Sequence, residues 1–216
     1  MSYLISRLSS KFCIGFLTFL FALNAKADLS DMSRIFRQTP NLAAFEVCYG
    51  GGCTEVKRLS LTNEEWQKVS AIFDKAVINA AQERQLIGKA IAQLETIVGE
   101  KIGTTNDLAG TFYDGPLSGQ QDCNDESINS TTYMRLMHLA GLLKWHQIED
   151  TRTRNFFFNG WPHSSAVIRD ISTNTQFAVD SWFYDNGVPP VIVPLKEWKA
   201  GYRPADTPID HPRPKN

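Results

Sequence analysis

Three residues have the types and order of a thiol-based acyl-transfer site. Cys123 stands in Gly119-Gln120-Gln121-Asp122-Cys123-Asn124-Asp125-Glu126-Ser127, at a helix start expected near Asp122 or Cys123. A thiol is a nucleophile as its thiolate, and a helix N-terminus together with a neighbouring imidazole favours that form. The free N–H groups of the same helix end could also hold an oxyanion.

Four histidines could supply the imidazole: His138, His146, His163 and His211. His138 sits along the same helix, roughly 20 Å away at helical rise. His211 lies in a proline-rich tail, and His146, after the helix end, reads as a surface or packing residue. His163 follows Trp161-Pro162 and opens a β-like run, so a strand would hold it in place. Asp180 is acidic inside the apolar run Ala178-Val179-Asp180-Ser181-Trp182, and a buried carboxylate there suits the group that fixes a histidine tautomer. A hairpin centred on Thr173-Asn174 puts both residues on one face but leaves them about 13 Å apart along the strand direction. A register shift or bulge has to close that gap.

Asp122, Asp125 and Glu126 crowd Cys123, and their charge opposes ionisation of the thiol. Two uses for them are weighed: complementing the positive helix end, or, with loop oxygens of Asp114, ligating calcium, although their spacing matches no EF-hand. Otherwise no metal and no cofactor is expected.

The first 27 residues have a basic start (Arg7, Lys11), an apolar run from Phe12 to Leu23 and then Ala25-Lys26-Ala27, the order of a secretory signal. The run is short for a bilayer span. Export, periplasmic or secreted, is therefore expected, with no stable membrane insertion after cleavage. The remaining 189 residues hold 19 basic side chains, three fewer than the full chain's 22, against 23 acidic ones. That balance of −4 argues against nucleic acid as a partner. Cys48, Cys53 and Cys123 survive cleavage, an odd number. A disulfide is expected between Cys48 and Cys53, because Gly50-Gly51-Gly52 lets the chain fold tightly between them; redox and zinc readings of this pair lack the spacing or further ligands. Cys123 is then the leftover thiol.

The elements that must position these groups read as helices first and strands afterwards. Thr62 and Glu65 form a capping-box pattern ahead of Trp66, Val69, Phe73 and Val77 on one face. A second helix is expected over 80–98, with Ile87, Ile91, Leu94 and Val98 along its stripe and Gly99 ending it. A loop spans 103–119, and a third helix runs from Cys123 to about Leu139 with Tyr133, Leu136 and Met137 inward. Strand-like runs follow at 155–158, 163–171 and 176–184, with a short edge strand at 191–193 bracketed by prolines. The class is α+β with an antiparallel sheet, as one domain over 28–203 with a Pro-rich tail over 204–216.

A cysteine at a helix start, a histidine opening a later strand and an aspartate on the strand after it resemble the transglutaminase-like fold of the papain-type cysteine peptidases, over Gln120 to Trp182. The resemblance implies a transglutaminase-like core, with Cys123 as nucleophile, His163 as base and then acid, and Asp180 as its orienter. It also implies an oxyanion role for Gln120 or Gln121. The implied activity is a hydrolase or acyltransferase cleaving amide bonds through a thioester, on a peptide or protein substrate. Export would bring cell-wall peptides within reach. The competing expectation is a non-catalytic exported binding module of the same fold, using the 103–119 loop and Trp161, Trp182, Phe183 and Tyr184.

Overall fold

A run of left-handed backbone shapes the first corner of the molecule. In the computed structural model, which describes residues 35, 38–111, 119–154 and 162–209, Gly50, Gly51, Gly52 and Cys53 all have positive φ. Three of these positions suit glycine, which has no Cβ to clash; Cys53 is held there by its disulfide to Cys48. The turn joins β1 (Phe45–Tyr49) to β2 (Glu55–Leu59) as an antiparallel hairpin. The sequence reading missed this hairpin, because β2 carries Glu55, Lys57 and Arg58 and shows no apolar run.

Helix α1 (Asn63–Ser70) starts at the expected capping box, with Thr62 and Glu65 bonding each other's backbone N–H. A 3-10 turn follows at Ala71–Phe73. Helix α2 (Ala80–Ile102) runs through Gly99 and stops at Gly103, whose φ of 84° reverses the chain. Gly99 is instead a close-packing site: a Cβ there would stand 3.1 Å from Asn186 Nδ2. Helix α3 (Cys123–Leu139) begins and ends as expected.

The last part of the chain forms a four-stranded antiparallel sheet in the order β3 (His146–Arg154), β4 (His163–Asp170), β5 (Gln176–Asp180), β6 (Val191–Pro194). Val191–Pro194 is an edge strand, as its prolines require. β3 was not foreseen: its sequence, HQIEDTRTR, is polar on both faces. The phenylalanines of the run 155–158 lie outside the described residues. A short helix, α4 (Leu195–Lys199), closes the order.

Alternation along β4 and β5 divides the sheet into two environments. Ala166, Ile168 and Val179 face the main core with Ile87, Ile91 and Leu94 of α2 and Tyr133, Met134 and Met137 of α3. Each fully buried Ile, Leu, Val or Met among them contributes about 1.5–3 kcal/mol of hydrophobic stabilisation. On the other face Val167 and Ala178 pack under Leu195 and Trp198 of α4. The architecture is thus α+β with antiparallel sheets. The stretch after α4 is less loose than its prolines imply: Ile209 is buried with Phe183 and Val191, and Thr207 Oγ1 donates to the Phe183 carbonyl at 2.7 Å. Among the described residues no helix is long and apolar enough to cross a membrane.

Candidate active site

The β4–β5 register decides whether His163 and Asp180 can meet. Ala166 pairs with Val179 and Arg169 with Gln176, and the turn closes with the Asp170 N–H bonded to the Thr175 carbonyl. The Asp170 carboxylate collects the Ser172 and Thr173 N–H groups, and Asn174 takes a left-handed φ of 58°. This turn lies two residues of register away from the simple hairpin expected. Extending it places Asp180 opposite Ser165, so His163 and Asp180 are diagonal neighbours on one face, within reach of long side chains. Their side chains join: His163 Nε2 is 2.7 Å from Asp180 Oδ2, and both residues are buried.

Cys123, the first residue of α3, meets the same end of β4 through Ser164. Ser164 points toward α3 and donates to Asn124 Oδ1 at 2.9 Å, while Thr153 Oγ1 braces Ser164 Oγ at 3.0 Å. The Ser164 backbone N–H is directed at the Cys123 sulfur. The thiol is free of disulfide and buried, and burial pushes its pKa up to about 12. The Ser164 N–H opposes that rise, whereas Asp122, Asp180 and Asp125 add to it. Among the described residues no hydrogen bond joins Cys123 to His163; Nε2 of the imidazole is committed to Asp180, which leaves Nδ1 for any other partner.

Two of the acids around Cys123, Asp122 and Asp125, have definite structural uses. Asp122 caps α3 by accepting from the Asn124 and Asp125 N–H groups and reaches across to the Gly52 N–H at 2.8 Å. Asp125 accepts from the Gly51 N–H at 2.7 Å and the Cys53 N–H at 2.6 Å. Asn129 completes the clamp by pairing with both backbone groups of Cys48. The disulfide turn is therefore bolted to the N-terminus of α3 by carboxylates set in a cradle of N–H donors. These carboxylates are satisfied by backbone, and they do not converge with Glu126 as a calcium ligand set. Among the described residues the one group of His, Cys and acid atoms close enough to hold an ion is Cys48, Cys53 and Asp125, two of which are spent in the disulfide. Asp114 lies outside the described residues.

Gln120 and Gln121 are also committed away from the thiol. Gln121 Nε2 donates to the Cys48 carbonyl at 3.0 Å, and Gln120 Nε2 donates to the Asn106 carbonyl at 2.8 Å. Neither side chain is disposed as an oxyanion donor here. Because Asp122 bonds the Asn124 and Asp125 N–H groups, the first N–H of the helix, that of Cys123, is the donor best placed for that task.

Sequence reading missed two further parts of the site. Trp198 Nε1 donates to Asp180 Oδ2 at 2.6 Å. Rings of Trp182, Phe183 and Trp198 stand 4.6, 5.5 and 5.6 Å from the His163 ring centre. Of the aromatics considered for a recognition surface, Phe183 is core and Trp161 lies outside the described residues. The second part is a group of neighbouring acids, Asp107 and Glu126 buried and Glu95 half-buried. Burial raises Glu95 to about 7, Asp107 to about 8, and Glu126 well above the usual range. Glu126 is 9% exposed, and its Oε2 has no hydrogen-bond partner. No local pattern marks this group, since its members come from α2, the loop after it and α3.

No protein-family model matches the chain, and neither do the curated proteins or the solved structures.

Proposed function

We propose that the chain is an exported cysteine hydrolase or acyltransferase that attacks amide bonds with Cys123. The observation carrying this reading is the buried His163–Asp180 hydrogen bond of 2.7 Å, placed at the strand end where the N-terminus of α3 presents an unpaired thiol. The pair differs from an ordinary packing contact in its polarity, since a buried carboxylate and imidazole need a partner and here each is the other's.

With its proton on Nε2, held by Asp180, the imidazole offers Nδ1 as the acceptor. As Cys123 Sγ adds to the carbonyl carbon, its proton passes to Nδ1, so a thiol whose pKa is raised by burial need not ionise beforehand. The oxyanion lies against the Cys123 N–H at the positive helix end. The C–N bond then breaks, the Nδ1 proton leaves with the amine, and a thioester remains on Cys123. Water or a second amine adds to that thioester with His163 again taking the proton, which yields hydrolysis or amide exchange. Peptides or proteins are the substrate class, cell-wall peptides among them by location. Export is supported by the leader pattern of residues 1–27 and by the disulfide, which oxidising compartments favour.

A second reading, a binding module of the same architecture without catalysis, is favoured by the burial of the thiol and by the lack of a thiol–imidazole hydrogen bond. Alkylation separates the two. The purified protein is treated with iodoacetamide near neutral pH and Cys123 modification is followed by peptide mass mapping. The enzyme reading expects wild type to react at least ten times faster than His163→Ala, and equal slow rates favour the binding module.

A further inference from the structure

Asp180 carries two donors on one oxygen: His163 Nε2 at 2.7 Å and Trp198 Nε1 at 2.6 Å both end on Oδ2. We propose that Trp198 is a positioning residue for the chemistry read at Cys123, and that its indole N–H sets how strongly Asp180 holds and charges the His163 ring. This inference rests on the reading of Cys123, His163 and Asp180 as a working triad.

The chain goes to some length to deliver that N–H. α4 is a five-residue helix, and its Trp198 is fully buried on Val167 and Ala178, the face that also carries His163 and Asp180. Arg154, which pairs with His163 across β3 and β4, donates from Nη1 to the Trp198 and Tyr202 carbonyls and stacks its guanidinium 4.9 Å from the Trp198 ring centre. The end of α4 is thereby latched to the strand next to the histidine. Packing alone would be served by a phenylalanine. The indole N–H adds a donor that fixes the rotation of the carboxylate so that Oδ2 faces Nε2.

Sharing one oxygen couples the two donors. An N–H on Oδ2 takes up part of the carboxylate charge and leaves less of it to stabilise a protonated imidazole. Removing the indole N–H gives His163 the whole charge, so the imidazolium persists to higher pH. The other charged or titratable groups facing Asp180 are Cys123 and Glu126 on α3 and Arg154 on β3. None of the three is removed by Trp198→Phe, and Arg154 keeps its bonds to the Trp198 and Tyr202 carbonyls, so the indole N–H is the one polar group the variant deletes.

The test follows Cys123 alkylation by iodoacetamide from pH 5 to pH 9 in wild type, Trp198→Phe and His163→Ala. Wild type is expected to show an inflection that His163→Ala abolishes, and Trp198→Phe to keep the inflection but move it upward by about one pH unit. A loss of packing alone lowers thermal stability without moving the inflection. Trp198→Phe and wild type with superimposed profiles, alongside an altered His163→Ala, overturn the role of Trp198 and leave the triad reading intact. Identical profiles for wild type and His163→Ala overturn the triad reading itself. Should Trp198→Phe not fold, the wild-type protein answers by NMR. The Trp198 indole N–H shift is expected to titrate in step with the His163 ring, and an indole shift flat through the His163 titration overturns the proposal.

Discussion

The four-stranded sheet carries a histidine–carboxylate pair at each end, and the two differ in how many ring nitrogens are occupied. At one end His146 opens β3, fully buried, with Nδ1 2.9 Å from Glu83 Oε1 and Nε2 3.2 Å from Arg84 Nη1. Because the guanidinium can only donate, a hydrogen bond there has Nε2 as its acceptor, and Nδ1 is the nitrogen that donates to Glu83. Glu83 also takes the Lys144 and Trp145 N–H groups, and Arg84 continues to Asp170 and lies over the Phe177 ring. Hydrogen bonding from His146 and these N–H groups outweighs burial and holds the Glu83 carboxyl below its ordinary range. Every polar position of that histidine is occupied. At the other end His163 has Nε2 on Asp180 and no hydrogen-bond partner for Nδ1 among the described residues. A histidine closed on both nitrogens braces a fold, whereas one closed on a single nitrogen can still take or give a proton.

The sharpest way to break this comparison is to delete each imidazole. His146→Ala leaves Glu83 buried without its side-chain partner, though still bonded to the Lys144 and Trp145 N–H groups, and is expected to cost about 1.5–3 kcal/mol of stability. In urea unfolding this appears as a lower midpoint, while Cys123 in the folded fraction alkylates at the wild-type rate. His163→Ala should reverse the pattern, with Cys123 slowed and the midpoint changed less. If His146→Ala also slows Cys123 in fully folded protein, the distinction between the two ends fails.

A smaller effect tests what supports the thiol end. Cys48→Ala with Cys53→Ala removes a short disulfide ring, worth about 2 kcal/mol by loop closure. It also loosens the N–H cradle of Asp125. Melting should shift down and the amides of Gly51, Gly52 and Cys53 should exchange with solvent faster, whereas the Glu83 end keeps its protection. Unchanged exchange at those three amides would mean that Asp122 and Asp125 hold the turn without the bridge.

The smallest effect concerns pH. Asp107 and Glu95 have folded-state pKa values raised to about 8 and about 7 by burial. A raised carboxyl contributes stability that is complete below its unfolded value, about 4, and is lost as pH climbs through the folded value. Stability should therefore fall from pH 5 toward pH 8, by up to about 1.4 kcal/mol per pH unit for each proton the folded state alone retains. Asp107→Asn should flatten this slope in thermal melts at fixed ionic strength. A melting temperature that rises over the same window contradicts protonation of Asp107 and Glu95 in the folded protein.

Local chemistry made several elements readable. The Thr62–Glu65 box and the Cys123–Leu139 helix depend on caps and spacing within a few residues, and the Cys48–Cys53 bridge depends on three glycines between two cysteines. Where local signals conflicted with packing, packing prevailed. Gly99 looks like a helix end, but its missing Cβ makes room for Asn186, and the helix continues to a glycine that does turn. β3 has no apolar alternation and pairs with β4 partly through polar side chains, Arg169 with Glu149 and Gln147 among them. The first half of α3 buries Asp125, Ser127, Asn129, Ser130 and Thr131, a polar stretch that reads as exposed until its partners on other elements are known.

The amino-acid sequence by itself determined the inventory of the candidate site: an odd thiol at a helix start, a histidine and an aspartate on consecutive strands, and a glycine turn tied by a disulfide. These follow from residue type and short spacing, where the physics is local. The tertiary structure alone decided the assembly. A turn register two residues from the simple hairpin brings Asp180 to His163, and a five-residue helix far along the chain adds Trp198 to the same oxygen. It also turned Asp122 and Asp125 toward the disulfide turn and closed both nitrogens of His146. Hydrogen-bond partners in a buried site are set by which backbones approach, and that approach depends on contacts between residues far apart in the chain.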